Sequence, residues 1–429
     1  MLFQFLKYVK PIWYFNLKSS SIDFQKIASR YLNENEIDEN YSSIDYRLKD
    51  LIYRKLLIGE NFENKGDIVP VNNSICLEDE YLFVGKYFSK FWLFYVFFVR
   101  FLTLKPILKE LGYLVKALRI PKFNYPRAPQ YDVPQAIHSR ELVSVIIPTL
   151  NRYEYLKDVL CDLESQDYKN FEVIIVDQSI PFKSEFYKNW NLNIKVWHQS
   201  VPGLWRARNT AIEASKGSLI LLYDDDSRVN TNWISSHLWT LRHFEADISS
   251  GISLSQIGAR VPEDYKYFKL SDQIDTGNVL LKREIFDDIG LFDLNFEGQR
   301  MGDAEFGLRA YLHGYKNISS PIANRIHLKV EVGGLREKGS WDAWRPRRLF
   351  DARPIPSVLY YYRKYYGNKL TFFAILRYLP LSFTPYKSKD NKFWMAFSFI
   401  MFITLLPFPL MLLTRSWTKS TQLMQNDSF

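Results

Sequence analysis

An α/β fold, with a mostly parallel sheet and helices on both faces, is what the middle of this 429-residue chain predicts. Three observations carry that reading. Short β-branched runs alternate with segments of helical spacing between Leu142 and Phe244, the pattern of strand–helix–strand units. Three of those runs end in polar or acidic residues, at Pro148-Thr149, Asp177 and Asp224-Asp225-Asp226. On consecutive parallel strands such ends gather at one edge, where open α/β sheets bind ligands. Third, no Gly-x-x-x-x-Gly-Lys-Ser/Thr loop and no Gly-x-Gly-x-x-Gly turn occurs, which disfavours a P-loop or dinucleotide fold.

Taken in order, the first strand runs from Leu142 to Pro148 and is closed by the proline. After a polar turn, Leu156, Val159, Leu160 and Leu163 give helical spacing from Tyr153 to Ser165. Phe171–Asp177 and Ile194–His198 are the next strands, and Leu204–Ser215 is a helix stopped at Gly217. Leu219–Tyr223 is a short, bounded apolar run that leads into three carboxylates. A helix from about Asn232 to Phe244 follows. Later strands are expected at Asp247–Leu254, Asp275–Leu281 and Asn324–Val330, the last carrying His327. A helix led by Gly302-Asp303-Ala304-Glu305 stops at Gly314, and Gly333-Gly334 is expected to be a flexible joint.

The flanks differ in character. Residues 1–140 are expected to be largely helical, with charged helices at Asp23–Glu39 and Asp45–Leu57. Phe91 to Leu102 is apolar nearly all round and too short to span a bilayer comfortably, so it suits either a core or a membrane surface. Pro121 to Pro129, with Pro134 beyond, is a linker by composition. In the tail, residues 336–429, Trp394–Leu413 is 20 residues without a charge. That length can cross a bilayer, but Pro407 and Pro409 are expected to kink or break it. Basic residues flank it on both sides (Lys387, Lys389, Lys392, Arg415, Lys419), so charge gives no orientation, and a span, a re-entrant hairpin and an in-plane anchor all stay open.

Charge follows the same division. Gly334 to Phe429 holds fifteen Lys and Arg against five Asp and Glu, which accounts for more than the whole net charge of +9. Because those basic residues border apolar blocks, they point to an anionic membrane surface and away from nucleic acid. Two distant cysteines, Cys76 and Cys161, exclude a disulfide framework or a Cys-based zinc site and fit a reducing compartment. Cys161 is expected to be buried.

Asp177, Asp224, Asp225, Asp226, Asp303 and His327 together would form a pocket of five carboxylates and one imidazole. A divalent cation held by Asp226, with His327 and substrate phosphates, is the simplest chemical account. Hard ions such as Mn²⁺ or Mg²⁺ suit carboxylates and phosphates. Plainer roles stay open: a solvated acidic turn for the triplet, a favourable helix N-terminal acid for Asp303, a structural histidine for His327.

The stretches VSVIIPTLNRYEYLKDVLCDLESQ, FEVIIVDQS, VPGLWRARNTAI, GSLILLYDDDS, GNVLLKREIFDDIGLFD and GDAEFGLRAYLHGY, in this order, make residues 142 to about 335 resemble glycosyltransferase family 2. These are inverting enzymes with the GT-A fold, a Rossmann-like nucleotide-diphosphosugar-binding architecture. The resemblance implies that Pro148, Thr149 and Asn151 lie beside the nucleotide, with Asp177 near its base or ribose. It implies that Arg208 helps hold the donor. Asp224 and Asp226 match the DxD motif, with Asp226 as metal ligand and Asp224 or Asp225 near the ribose or sugar. Asp303 matches the catalytic base, and His327 a position that completes the metal site. The family pattern has Glu-Asp where this chain has Gly302-Asp303, so Glu305 is expected to share the load. There is no Gln-x-x-Arg-Trp motif, which points to single additions. The expected activity is sugar transfer to a hydroxyl of a glycan or lipid-linked acceptor in envelope polysaccharide assembly, at the cytoplasmic face of the membrane. The alternative is a catalytically silent donor-binding protein.

Overall fold

A computed structural model describes residues 3–9, 36–59, 76–132, 140–255, 261–330, 342–346, 348–385, 388 and 391–426. Most of the helix expected at Asp23–Glu39 lies outside them, as do Pro134, Gly333-Gly334, Lys387 and Lys389. Two compact units emerge: Met1–Ala128 with Tyr365–Tyr378, and Pro129–Lys364 with Leu379–Phe429.

The first unit is helical: α1 (Ile44–Leu57), α2 (Leu77–Tyr87), α3 (Lys90–Leu102) and α4 (Ile107–Arg119). Tyr81, Leu82, Phe83, Leu93, Val96 and Leu114 fill its core. A buried carboxylate, Asp50, is tolerated there because it is well supplied with donors. It accepts from Tyr41 (3.0 Å), Tyr87 (2.7 Å), Lys86 (2.8 Å) and Arg54 (2.9 Å). An unpaired buried carboxylate would cost several kcal/mol on the order-of-magnitude scale for desolvated ions.

The second unit is the α/β body. Its strands are β1 (Val143–Thr149), β2 (Phe171–Asp177), β3 (Ile194–His198), β4 (Leu219–Tyr223), β5 (Ser227–Val229), β6 (Ile248–Ser255), β7 (Lys269–Leu270), β8 (Asn278–Lys282) and β9 (Asn317–His327). Its helices are α5 (Tyr153–Glu164), α6 (Leu204–Ala214), α7 (Trp233–His243), α8 (Glu284–Ile289) and α9 (Gly302–Leu312). The sheet order is β3-β2-β1-β4-β8-β6-β9-β5, with β7 also on β9. From β3 to β4 all pairings are parallel. Strands β1, β2 and β4 are mostly apolar because both faces are covered, and Ile146, Ile147, Ile174, Ile175, Ile220 and Leu222 are wholly buried, while the edge strand β3 is half-buried. Beyond β4 the sheet turns mixed: β8 is antiparallel to β4 and β6, while β9 runs parallel to β6.

Register positions the site. Thr149 pairs with Asp177, and Ile146 with Leu222, so the ends of β1, β2 and β4 share one edge as expected. The short β5 follows the triplet and pairs antiparallel with β9, setting Ser227 opposite His327. That pairing is invisible in the sequence, where Ser227-Arg228-Val229 is too short for a period. The last strand begins at Asn317, seven residues before its expected start, because Asn-Ile-Ser-Ser-Pro shows no apolar alternation.

Cys161 corrects its expectation: it is exposed. It sits on α5 off the face formed by Leu156, Val159, Leu160 and Leu163, which are all wholly buried. The tail apolar block breaks as its prolines imply. Helix α10 (Pro356–Tyr378) is interrupted at Gly367, whose φ of 75° lies in the left-handed region glycine tolerates. Then α11 (Lys392–Thr404) and α12 (Pro407–Asn426) meet at 87°. Among the described residues no single helix is long and apolar enough to cross a membrane; this bent pair passes the test of length and composition only together.

Candidate active site

The edge formed by β1 and β4 opens into a cavity of about 360 Å³. Pro148, Arg152, Arg208, Asp224, Asp225, Asp226, Asp275 and Asp303 line it, together with Trp205 and the loop from Glu297 to Met301. The expected residues therefore divide. Pro148, Arg208, the acidic triplet and Asp303 face one space. Thr149 stands just behind, its hydroxyl donating to Asp225 at 2.8 Å. His327 borders the triplet, with Nε2 3.3 Å from an Asp226 oxygen.

Besides Thr149 and His327, three more expected residues do not line this cavity. Asn151, with φ 54°, ties the turn after β1 to the segment after β2: its N–H donates to Ser179 Oγ and its Oδ1 accepts from Ile180 N. Asp177 is wholly buried and accepts from the hydroxyls of Tyr153 (2.6 Å) and Tyr187 (2.8 Å). Glu305 is also wholly buried and gripped by Arg309, one helical turn on, at 3.1 Å. The expectation that Glu305 shares a role with Asp303 is corrected by helix geometry. Two residues on, its side chain points away from the face that Asp303 presents to the cavity.

Sequence reading missed two arginines that hold the triplet, Arg152 and Arg325, and the Asp275 carboxylate that pairs with the second. Arg152 Nη1 lies 3.0 Å from Asp225 and 3.2 Å from Asp226, while Nη2 donates to the Val330 carbonyl at 3.1 Å. Arg325 donates to Asp224 Oδ2 (2.7 Å) and to both oxygens of Asp275 (3.0 Å each). Arg208 Nη2 completes the row, donating to Asp224 Oδ1 (3.0 Å) and the Thr276 carbonyl (2.9 Å). Asp224 thus has a guanidinium on each oxygen. A signal for Arg325 was present: it lies two residues before His327, on the same face of β9. Arg152 and Asp275 carried no periodic signal.

Burial and these pairings set the charges. Burial pushes the Asp225 carboxyl up to about 6, against the opposing pull of Arg152. Burial also raises Asp226, but the His327 hydrogen bond and Arg152 outweigh it and leave that carboxyl below its ordinary value. Asp303 is held above the ordinary carboxylate value of 3.8 by burial, with Arg208 pulling the other way. Arg208 Nε and Nη1 are buried with no hydrogen-bond partner among the described residues, so two donors beside the cavity suit an anion.

Trp205 explains the Gly302 departure. Its indole Nε1 donates to the Phe296 carbonyl at 3.1 Å, and its ring carries the Arg208 guanidinium at 5.3 Å. A Cβ at position 302 would overlap this ring, lying 2.5 Å from Cε2 and closer still to Cζ2.

Ligand atoms of Asp224, Asp226 and His327 all lie within 4.8 Å of one another. Two carboxylates and an imidazole form a donor set that fits Mn²⁺ or Mg²⁺, with remaining positions left for water or phosphate. Asp224 is gripped by two arginines, while Asp226 meets Arg152 at 3.2 Å and His327 at 3.3 Å.

An α/β sheet edge carrying carboxylates, an imidazole and an arginine with unpaired donors has the chemistry to take a phosphate-bearing ligand with a cation. Residues 144–295 match the Glycosyl transferase family 2 model, so the chain carries a domain of that family over this stretch. It is 25% identical over 193 residues to Glycosyltransferase GlyG of Streptococcus pneumoniae serotype 4, covering 44% of this chain and 60% of GlyG. It is 30% identical over 94 residues to the poly(ribitol-phosphate) beta-N-acetylglucosaminyltransferase TarS of Staphylococcus aureus, 20% of this chain and 16% of TarS. The crystal structure of TarS residues 1–349 with UDP-GlcNAc superposes with a TM-score of 0.42 at 19% identity, over 58% of this chain and 77% of that one.

Proposed function

We propose that this protein transfers a single sugar, with inversion, from a nucleotide-sugar donor to a hydroxyl of a glycan or lipid-linked acceptor in cell-envelope polysaccharide assembly. The observation that carries the reading is one cavity lined by Asp226, which has His327 beside it, by an arginine with unsatisfied donors (Arg208) and by a carboxylate of raised pKa (Asp303). The acceptor oxygen attacks the anomeric carbon, the bond to the nucleoside diphosphate breaks, and the acceptor proton passes to Asp303. Arg208 steadies the diphosphate. Asp226 and His327 would hold Mn²⁺ or Mg²⁺, which supplies Lewis-acid stabilisation of the departing charge when bound. We read the bent, apolar α11–α12 pair with its basic neighbours as the membrane-associating part, at the cytoplasmic face.

The reading is tested by incubating purified protein with a donor panel, acceptor glycans and Mn²⁺, and measuring release of nucleoside diphosphate. Binding without release across the panel would instead support the silent reading, which Gly302 in place of the family glutamate motivates.

Two quantitative expectations follow from the site. Mn²⁺ with the preferred nucleoside diphosphate should raise Tm by a few degrees, since a ligand at a hundredfold its Kd adds about 2.7 kcal/mol. Asp226→Asn should abolish the manganese-dependent part of that shift, and an unchanged shift would remove Asp226 from the cation site. A base must be deprotonated, and burial raises the Asp303 pKa above 3.8. Activity should therefore fall as pH drops through a value above 3.8, the acid limb of the kcat/KM profile. Arg208 lowers that pKa, so Arg208→Gln should move the limb to higher pH.

A further inference from the structure

The helices α3 and α4 form a hairpin with two faces. The inner face is already settled: Leu93, Val96, Val99, Leu114 and Ala117 are buried in the first unit. Arg100 donates to Glu110 Oε1 at 2.7 Å and Tyr81 donates to Glu110 Oε2 at 2.6 Å, so the hairpin is pinned from within. The outer face is apolar and open. On α3, Phe94, Phe98 and Phe101 recur at helical spacing and are exposed. On α4, Leu108, Leu111 and Val115 do the same. At the tip, Leu104 is 92% exposed and Leu108 86%. A contiguous patch of this kind marks an interaction surface in a soluble unit.

Charge identifies the partner. Between Phe88 and Tyr131 there are eight Lys and Arg and one acid, Glu110, which is buried against Arg100. Lys105 and Lys109 flank the exposed leucines at the tip, and Lys116 and Arg119 continue the basic margin. Lys116 is paired with Glu78 of α2, so Lys105, Lys109 and Arg119 carry the cationic margin, and an exposed apolar face with such a margin suits the interface of a bilayer bearing anionic headgroups. At 13 residues, α3 is about 20 Å long, shorter than the roughly 30 Å hydrocarbon core, so the hairpin docks on the surface or dips its tip.

We infer that the α3–α4 hairpin is a docking surface for an anionic lipid bilayer. The inference rests on the membrane-surface reading proposed above, and assigns to the first unit a contact that reading gives to the tail. The test is co-sedimentation of the full chain with vesicles of phosphatidylcholine, with and without phosphatidylglycerol. Wild type should bind the anionic vesicles at least about tenfold more tightly, and added salt should weaken binding. The pair Leu104→Asp with Leu108→Asp, and the pair Lys105→Glu with Lys109→Glu, should each lower binding by about tenfold or more. Leu104 has φ 55°, a conformation aspartate accepts, so the first pair should fold. Nucleoside diphosphate release with a soluble acceptor should be unchanged in all four substitutions.

Binding that survives both pairs but is lost on Ile400→Asp with Ile403→Asp in α11 overturns this inference and leaves the tail reading standing. Wild type that binds neither vesicle overturns both. Equal binding to neutral and anionic vesicles removes the lipid class. A wild-type dimer in solution that the leucine pair converts to monomer assigns the face to a second copy and overturns the inference.

Discussion

Asp303→Asn is expected to reduce transfer by about 10²–10⁴-fold, the usual contribution of a positioned general base. Asparagine keeps the shape of the side chain and cannot accept the acceptor's proton. Asp303 is in the first turn of α9 and lines the cavity, and among the described residues no guanidinium is in hydrogen-bonding contact with it; Glu297, the other such carboxylate of the lining, is taken up by the backbone amides of Leu204 and Arg206. By contrast, Asp224 and Asp225 are each bound by guanidinium groups, which makes them structural anions more than proton acceptors. Nucleoside diphosphate affinity, measured by calorimetry, should change little, because the proton chemistry and the donor grip lie on different elements. Full activity in Asp303→Asn would move the base elsewhere, and the half-buried position of the residue makes misfolding a poor explanation for a loss.

Gly302→Glu, the change that restores the family pattern, is expected to inactivate this protein instead of improving it. The new Cβ would overlap the Trp205 ring, and forced overpacking typically costs about 1–3 kcal/mol. The functional cost should be larger than the stability cost. Trp205 carries Arg208 on its ring, and Gly302 adjoins Asp303, so a displaced indole disturbs both halves of the reaction. A misplacement near 1 Å can lower turnover about 10²-fold. Combining Gly302→Glu with Trp205→Ala should recover a substantial part of the loss in kcat, while Trp205→Ala alone should mainly weaken donor binding. Additive losses in the double variant would show that the two positions act independently.

Much of the active-site edge could be read from sequence because it is built from local signals. Phe171–Asp177 and Ile194–His198 form the expected strands to the residue, and β4 runs straight into the triplet. Short apolar runs with Gly, Pro or acidic boundaries leave few alternatives once both faces of a sheet must be covered. Contacts that depend on pairing across long separations were not legible. Arg325 reaches Asp224 only because β9 lies where it does in the sheet, and Arg152 meets Asp225 because β1 and β4 are neighbours. The shielding of Gly302 by Trp205 is of the same kind: sequence exposes the missing glutamate, and only packing reveals what fills its space. Asp177 shows the converse. Its position at a strand end was expected, but the two tyrosine hydroxyls that enclose it come from α5 and from the segment after β2.

The pairing of Asp224 with Arg208 and Arg325 sets a lower bound on the functional unit. The stretch that matches the family model ends at residue 295, yet Asp303, Arg325 and His327 all lie beyond it. Segments 208, 224, 275 and 325 close into one alternating row of charge across the sheet. A fragment trimmed to the recognisable segment would keep the acidic triplet but lose half of what neutralises it. Asp224, Asp225, Asp226 and Asp275 gathered with too few cations repel one another, so this edge is an attribute of the chain through β9 and not of the motif that announces it.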